Sequence, residues 1–207
     1  MTVTPVGSAR STERMRARQT RQMDRVHDRC DACGFDGAGY TDAALLDGLR
    51  SLGDRWRRQL AAAGDHVRSR PEPDTWSALE YAAHSRDITA LHVYGVEQAL
   101  TDDEPAFPPI GDDLIESAAS TYHDEVPETV LDVLAATAGR LAQLADDAGA
   151  GTWSRGLTVG ETRSDVRFLL EHALHDSLHH LDDVQRGLTV VVLAEHDIGG
   201  GRHDAEA

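Results

Sequence analysis

The sequence contains no lysine, only two cysteines and no long apolar run. All 20 basic residues are therefore arginine, 36 residues are acidic, and the net charge is −16. Such an acidic chain repels phosphate backbones, which argues against nucleic acid as a partner. Without about 18 consecutive apolar residues we expect no membrane span. The arginine-rich beginning lacks an apolar stretch, so it does not read as a secretory signal. These absences favour a cytoplasmic protein.

The two cysteines form a C-x-x-C motif, Cys30 and Cys33 in HDRCDACGFD, with His27 three residues upstream. Two cysteines are too few for a disulfide scaffold. A C-x-x-C motif is either half of a zinc site or a redox pair, and His27 could add a third ligand. A four-ligand site needs a second half, and no other cysteine exists. We therefore interpret the motif as a local turn with reduced thiols.

The first half of the chain predicts two long helices. Thr41 suits the N-cap of the first, which Gly64 and the RPEPD stretch end. Its apolar side chains recur at helical spacing: Leu45, Leu49, Leu52, Trp56 and Leu60. In the second helix, Ser77 and Glu80 have capping-box spacing. We expect this helix to run to about Leu100, before three prolines.

The second half of the chain predicts a short helix followed by two more long helices. The short helix contains Leu114, Ile115, Ala118 and Ala119. Pro127 suits the first turn of the third long helix, since proline is tolerated there. The fourth should run from near Arg163 to about Arg186, before Gly187. We expect LTVVVLA to form a short strand or an extended tail, and IGGGRHDAEA to be disordered.

Four long amphipathic helices predict an all-α fold, a four-helix bundle with irregular N- and C-terminal extensions. We assign the bundle to residues 41–187. Residues 1–40 form an arginine-rich leader and the C-x-x-C turn, partly disordered, and residues 188–207 form a C-terminal tail. A chain of 207 residues, 40% of them hydrophobic, can bury a single core of this kind.

The fourth helix carries four histidines within EHALHDSLHH, residues 171–180. Its apolar stripe consists of Val166, Leu170, Ala173, Leu174, Ser177, Leu181 and Val184. His175 and His179 are four apart but lie about 160° from this stripe on a helical projection, facing solvent. Asp176 and His180 are also four apart and lie at its edge. A bundle site needs inward ligands from facing helices, so Asp176 and His180 are favoured, with His84 as the candidate on the second helix.

Two motifs resemble the DinB-like superfamily. TWSALEYAAHSRD resembles its second-helix signature, which ends in a metal-binding histidine, here His84. HDSLHHLDDV resembles its last-helix signature, which places the other two ligands at Asp176 and His180. The chain departs from the family at Asp176, where histidine is usual, and at Asp183, where glutamine is common. A carboxylate still binds zinc, and Asp183 could accept a ligand N–H or be an extra ligand.

The resemblance implies a divalent metal ion, with zinc the default for such ligands and nickel or iron also fitting. It implies a thiol S-transferase-like function, because the superfamily includes thiol transferases and mycothiol-dependent maleylpyruvate isomerases. A chain without lysine looks like an actinobacterial product, so the thiol would be mycothiol and its partner a small electrophile. A homodimer is also an expectation from the family. The alternative is a non-catalytic metal- or ligand-binding module of stress response, and His175 with His179 remain the alternative ligand pair.

Overall fold

The structure, a computed structural model, describes residues 27–200, except for the side chains of 112–115 and 194–200. The expected arginine-rich leader therefore lies almost entirely outside the described residues. The same is true of residues 201–207 in the predicted disordered tail. The expected boundaries at residues 41 and 187 stay a prediction.

The described residues form an all-α four-helix bundle, which confirms the predicted fold class. Its first segment consists of α1 (Asp42–Arg50) and α2 (Leu52–Ala63). The other long helices are α3 (Ala78–Thr101), α5 (Pro127–Ala148) and α6 (Val166–Gly200), and α4 (Asp112–Tyr122) is short. Helix α3 packs against both α5 and α6, so the second and last helices face each other across the bundle.

The helices begin where the sequence predicts. Thr41 accepts a hydrogen bond from the backbone N–H of Ala44 and caps α1. Ser77 and Glu80 form a complete capping box at the start of α3, and Pro127 occupies the first turn of α5. The predicted apolar stripes are buried in one core, because each stripe faces the other helices.

The first predicted helix is divided at Ser51. Its hydroxyl donates to the carbonyl of Gly48 at 2.7 Å. A serine side chain that competes for backbone groups in this way favours a helix break. The leucine stripe nevertheless stays buried on both sides of the break.

A small sheet before the last helix was not predicted. It comprises β1 (Ala106–Phe107), β2 (Gly156–Val159) and β3 (Thr162–Asp165). Strand β2 pairs parallel with β1 and antiparallel with β3. Gly160 turns the hairpin with φ of +59°, a conformation that favours glycine. Because β3 continues directly into α6, this hairpin fixes where the histidine-bearing helix begins.

Helix α6 does not stop at Arg186. It continues to Gly200, so the short strand or extended tail expected after Gly187 is wrong. A Cβ at position 187 would lie 3.1 Å from Cγ of Pro71. The glycine therefore permits a close approach between α6 and the segment at Pro71, and a helix tolerates it at a cost of about 1 kcal/mol.

Among residues 27–200, no helix combines the length and hydropathy needed to cross a bilayer.

The segment 27–41 lies along α6. Arg167 and Glu171, both buried, connect the two. Glu171 accepts hydrogen bonds from the His27 ring at 2.8 Å and the Asp28 backbone N–H at 3.0 Å. Arg167 donates to Glu171 and to the carbonyl of Tyr40 at 2.7 Å. A buried ion pair inside the bundle thus holds the C-x-x-C segment against the last helix.

Candidate metal centres

Three side chains predicted as ligands converge between α3 and α6. We call His84, Asp176 and His180 the inner cluster. One donor atom from each lies within 4.8 Å of the others. Asp176 Oδ1 is 3.6 Å from His84 Nε2 and 3.5 Å from His180 Nε2. The three side chains are only 12, 13 and 18% exposed, so the group lies inside the bundle with limited access to solvent.

The neighbouring residues orient the inner cluster. Asp183, one turn further along α6, accepts from His180 Nδ1 at 2.9 Å. This hydrogen bond leaves Nε2 of His180 available toward Asp176. The Trp76 ring lies 5.1 Å from the His84 ring, and the Tyr81 ring stacks on His180 at 4.9 Å. These two aromatic rings thus pack against the imidazoles and restrict their rotation.

The electrostatics of the inner cluster favour an ionised carboxylate. Burial raises the pKa of Asp176, but hydrogen bonds and charge from His180 and His84 outweigh it and hold that pKa well below its usual range. Burial lowers the pKa of His180, and the carboxylates of Asp176 and Asp183 more than compensate and raise it. Asp176 is therefore an anion held between two imidazoles.

The inner cluster fits a divalent metal. Asp176 Oδ2 is buried and lacks a hydrogen-bond partner among the described residues. A buried carboxylate oxygen without a donor carries a desolvation cost of about 1–3 kcal/mol or more, which a bound cation would offset. Two imidazoles and a carboxylate are also a common catalytic zinc donor set.

Two acidic residues on α3, Glu80 and Asp87, bind groups outside the inner cluster. Glu80 closes the capping box with the Ser77 N–H and pairs with Arg70. Asp87 accepts from the hydroxyl of Tyr122 at 2.9 Å and from Arg86 at 2.8 Å. Both carboxylates thus tie α3 to neighbouring segments, and Glu80 forms the capping box that its spacing predicts.

His92, two turns beyond His84, is buried on α3. Its Nδ1 lies 2.6 Å from the Ile88 carbonyl. Burial lowers the pKa of His92 to about 4, so the imidazole is neutral near pH 7. It does not belong to any group of potential metal ligands among the described residues.

His175 and His179 do not face open solvent, contrary to the helical projection. The C-x-x-C segment covers them, and the His175 side chain is only 13% exposed. Their donor atoms and both thiols lie within 4.8 Å of one another. We call this group the outer cluster: Cys30, Cys33, His175 and His179. Its thiols are free, and backbone N–H groups of Cys33 and Ala32, with His175, lower the pKa of Cys30 to about 6.

The residues that position the outer cluster were missed from the sequence. Asp28 accepts from His175 at 2.7 Å and His172 at 2.9 Å. No spacing pattern indicates Asp28, but one does indicate the four members of the outer cluster. C-x-x-C followed later by H-x-x-x-H is the ligand spacing of many zinc sites. His27, considered as a third ligand for the motif, binds Glu171 instead.

Comparison with known proteins supports the fold. No protein-family model and no curated protein matches the chain. One similar solved structure is YfiT from Bacillus subtilis, described as a probable metal-dependent hydrolase with an unusual four-helix bundle topology. The two share 15% identity with a TM-score of 0.64, over 70% of this chain and 85% of that chain.

The mycothiol-dependent maleylpyruvate isomerase is also similar. Its structure gives 13% identity and a TM-score of 0.56, over 72% of this chain and 62% of that chain. A histidine-to-alanine mutant of such an isomerase gives 12% identity and a TM-score of 0.58 over the same shares. The chain therefore shares a four-helix-bundle fold with these structures, as the resemblance of its motifs to the DinB-like superfamily led us to expect.

Proposed function

We propose that the chain is a divalent-metal-dependent, thiol S-transferase-like protein whose metal ligands are His84, Asp176 and His180. The observation that carries the proposal is the inner cluster itself. It brings two imidazoles and an ionised carboxylate from facing helices together around a buried oxygen that lacks a donor. The similarity in fold to a probable metal-dependent hydrolase and to a mycothiol-dependent isomerase supports a metal-dependent, thiol-related activity.

Three protein ligands leave a zinc ion an open coordination position, where it lowers the pKa of a bound thiol. The chain's own residues prepare that position. Asp183 holds His180 in the tautomer that presents Nε2 to the cluster. The limited exposure of the three side chains excludes most water and strengthens the electrostatic interactions.

The aromatic walls favour a flat electrophile as the second substrate. Trp76 and Tyr81 flank the inner cluster on the α3 side. Stacking on such rings contributes about 0.5–1.5 kcal/mol beyond burial. We therefore propose a small aromatic electrophile, such as a chlorinated arene, as that substrate. Mycothiol is proposed as the thiol because one protein of similar fold is a mycothiol-dependent isomerase. The thiolate sulfur would form the new C–S bond as chloride leaves.

Metal content tests the ligand set. We expect His84→Ala, Asp176→Ala and His180→Ala each to retain one metal equivalent fewer than the wild-type chain, measured by inductively coupled plasma mass spectrometry. His123→Ala is the matched control, since His123 is exposed and lies in neither cluster. If the three variants keep the wild-type metal content, the inner cluster is not the metal site.

Turnover tests the activity. The metal-loaded protein, incubated with mycothiol and the chlorinated arene, should release chloride and form a conjugate of the expected mass. His180→Ala should form the conjugate no faster than buffer. A protein that binds its metal through the inner cluster but forms no conjugate with any electrophile in a panel would instead be the non-catalytic metal-binding module.

A further inference from the structure

The C-x-x-C turn has the backbone of a metal-binding loop. The Gly34 N–H donates to the carbonyl of Cys30 at 2.9 Å, and the Cys30 N–H donates to the carbonyl of Phe35 at 2.9 Å. Gly34 has φ of +76°, which lets the chain reverse directly after the second cysteine. The Phe35 ring then stacks on His175 at 4.9 Å. The turn thereby presents both thiols to the histidine row of α6.

The two histidines are prepared as ligands. His175 uses Nδ1 to bind Asp28, and its Nε2 is buried without a hydrogen-bond partner among the described residues. A carboxylate that holds the far nitrogen of an imidazole is the usual partner of a metal-ligating histidine. His179 Nδ1 lies 3.6 Å from the Cys30 sulfur. Sulfur and nitrogen ligands of one tetrahedral zinc ion are about 3.5 Å apart.

We propose that the outer cluster binds one zinc ion in tetrahedral Cys₂His₂ coordination, as a structural site distinct from the inner cluster. All four ligands come from the protein, so no position stays open for substrate, as in structural zinc sites. The donor atoms lie within 4.8 Å of one another, and a contraction of about 1 Å brings them to tetrahedral spacing. The site therefore needs little rearrangement.

A competing grouping around Asp28 is weaker. Asp28, His172 and His175 also lie close together. The Asp28 carboxylate, however, is already bound by Nδ1 of both histidines, and the His172 side chain is 43% exposed. Asp28 thus serves better as the residue that orients His175 than as a ligand.

Zinc at the outer cluster would fasten the segment 27–41 to α6. The buried pair of Arg167 and Glu171 holds the two ends of this segment, at Asp28 and Tyr40. The thiols lie between these ends and nearer the middle of α6, beside His175 and His179. The proposal does not depend on the function of the inner cluster. Its test requires only that metal bound by the outer cluster be distinguished from metal bound by the inner cluster.

Cobalt substitution provides the test, because cobalt bound by thiolate gives a near-ultraviolet charge-transfer band that nitrogen and oxygen ligands do not. The reduced wild-type chain should show this band with the strong visible bands of tetrahedral Co²⁺, at one equivalent per chain. Cys33→Ser and His175→Gln should lose or strongly weaken the thiolate band, because the inner cluster contains no sulfur ligand. Asp31→Ala, an exposed residue in the same turn, and His84→Ala, from the inner cluster, should keep the thiolate band.

A second measurement avoids variants that fail to fold. Titrating the zinc-loaded wild-type chain with a mercurial reagent should release one zinc ion for each pair of thiols, detected with a chromogenic chelator. The absence of a thiolate–cobalt band in the reduced wild-type chain would overturn the proposal. So would thiol modification that releases no zinc, or a disulfide between the two cysteines in zinc-treated chain prepared with reductant.

Discussion

Replacing Gly37 with alanine tests whether the buried pair of Arg167 and Glu171 anchors the N-terminal segment. Gly37 lies in a turn of 3₁₀-helix and has no positive φ, so its backbone accepts alanine. The new Cβ, however, would lie 2.2 Å from Glu171 Oε2 and 2.5 Å from Glu171 Cδ. Either the carboxylate or the segment must move.

The carboxylate of Glu171 cannot move without loss, although it ends a flexible side chain. It is completely buried and accepts from Arg167, from the His27 ring and from the Asp28 N–H. A hydrogen bond to a charged group contributes about 1.5–3 kcal/mol. Alanine returns about 0.4–1 kcal/mol by restricting the unfolded chain. We therefore expect Gly37→Ala to lower the free energy of unfolding by about 2 kcal/mol.

Gly39→Ala is the matched control, since a Cβ there meets nothing within 4 Å in the same turn. Urea unfolding followed by circular dichroism gives both values. With a typical slope of about 2 kcal/mol per molar urea, the midpoint of Gly37→Ala should fall about 1 M below that of Gly39→Ala. If the two variants unfold at the same urea concentration, the carboxylate is not held as the contacts indicate.

Three further predictions concern substitutions in or at the ends of the helices. Because the pKa of buried His92 falls from 6.5 to about 4, the unfolded chain takes up a proton that the folded chain does not. The stability that neutral His92 contributes above pH 6.5 is therefore lost as the pH falls toward 4. Between about pH 7 and pH 5, the free energy of unfolding of wild type should fall by about 2 kcal/mol more than that of His92→Gln. Equal losses in the two proteins would contradict this prediction. Gly53→Ala should destabilise by about 1–3 kcal/mol, because its Cβ would lie 2.5 Å from Cβ and 3.0 Å from Cα of Ala135. Gly139→Ala on α5, where a Cβ meets open space, should stabilise the protein by about 0.5–1 kcal/mol. If Gly53→Ala proves more stable to urea than Gly139→Ala, both predictions are refuted. Ser77→Ala should cost about 1 kcal/mol through loss of the α3 cap, and an unchanged thermal midpoint would show that the cap contributes nothing.

The helices and the convergence of the inner cluster were predictable from the sequence, because both depend on local periodicity. Capping residues mark where α1 and α3 begin, and apolar spacing marks their buried faces. The same helical phase that buries Leu174 and Val184 turns Asp176 and His180 toward α3. Bringing His84 to them needs only that the two helices face each other across a bundle.

The hairpin and the outer cluster were not predictable in the same way, because they depend on contacts between distant residues. Strands of two and four residues are too short for a pattern to indicate. A helical projection finds one apolar face and assigns the rest to solvent. On α6 the polar row of Arg167, Glu171 and His175 is covered by a segment 144 residues earlier in the chain, at His27.

The two clusters on α6 meet at one carboxylate. Asp183 Oδ2 lies 2.9 Å from His180 Nδ1, in the inner cluster's orienting contact, and 3.6 Å from His179 Nε2. His179 offers Nδ1 toward Cys30, so a metal bound there would leave its remaining N–H on the side that faces Asp183. A metal at either cluster would therefore leave an imidazole N–H directed toward the same oxygen. Adjacent histidines 100° apart on one helix can thus serve two sites on neighbouring faces, with Asp183 as the residue common to both.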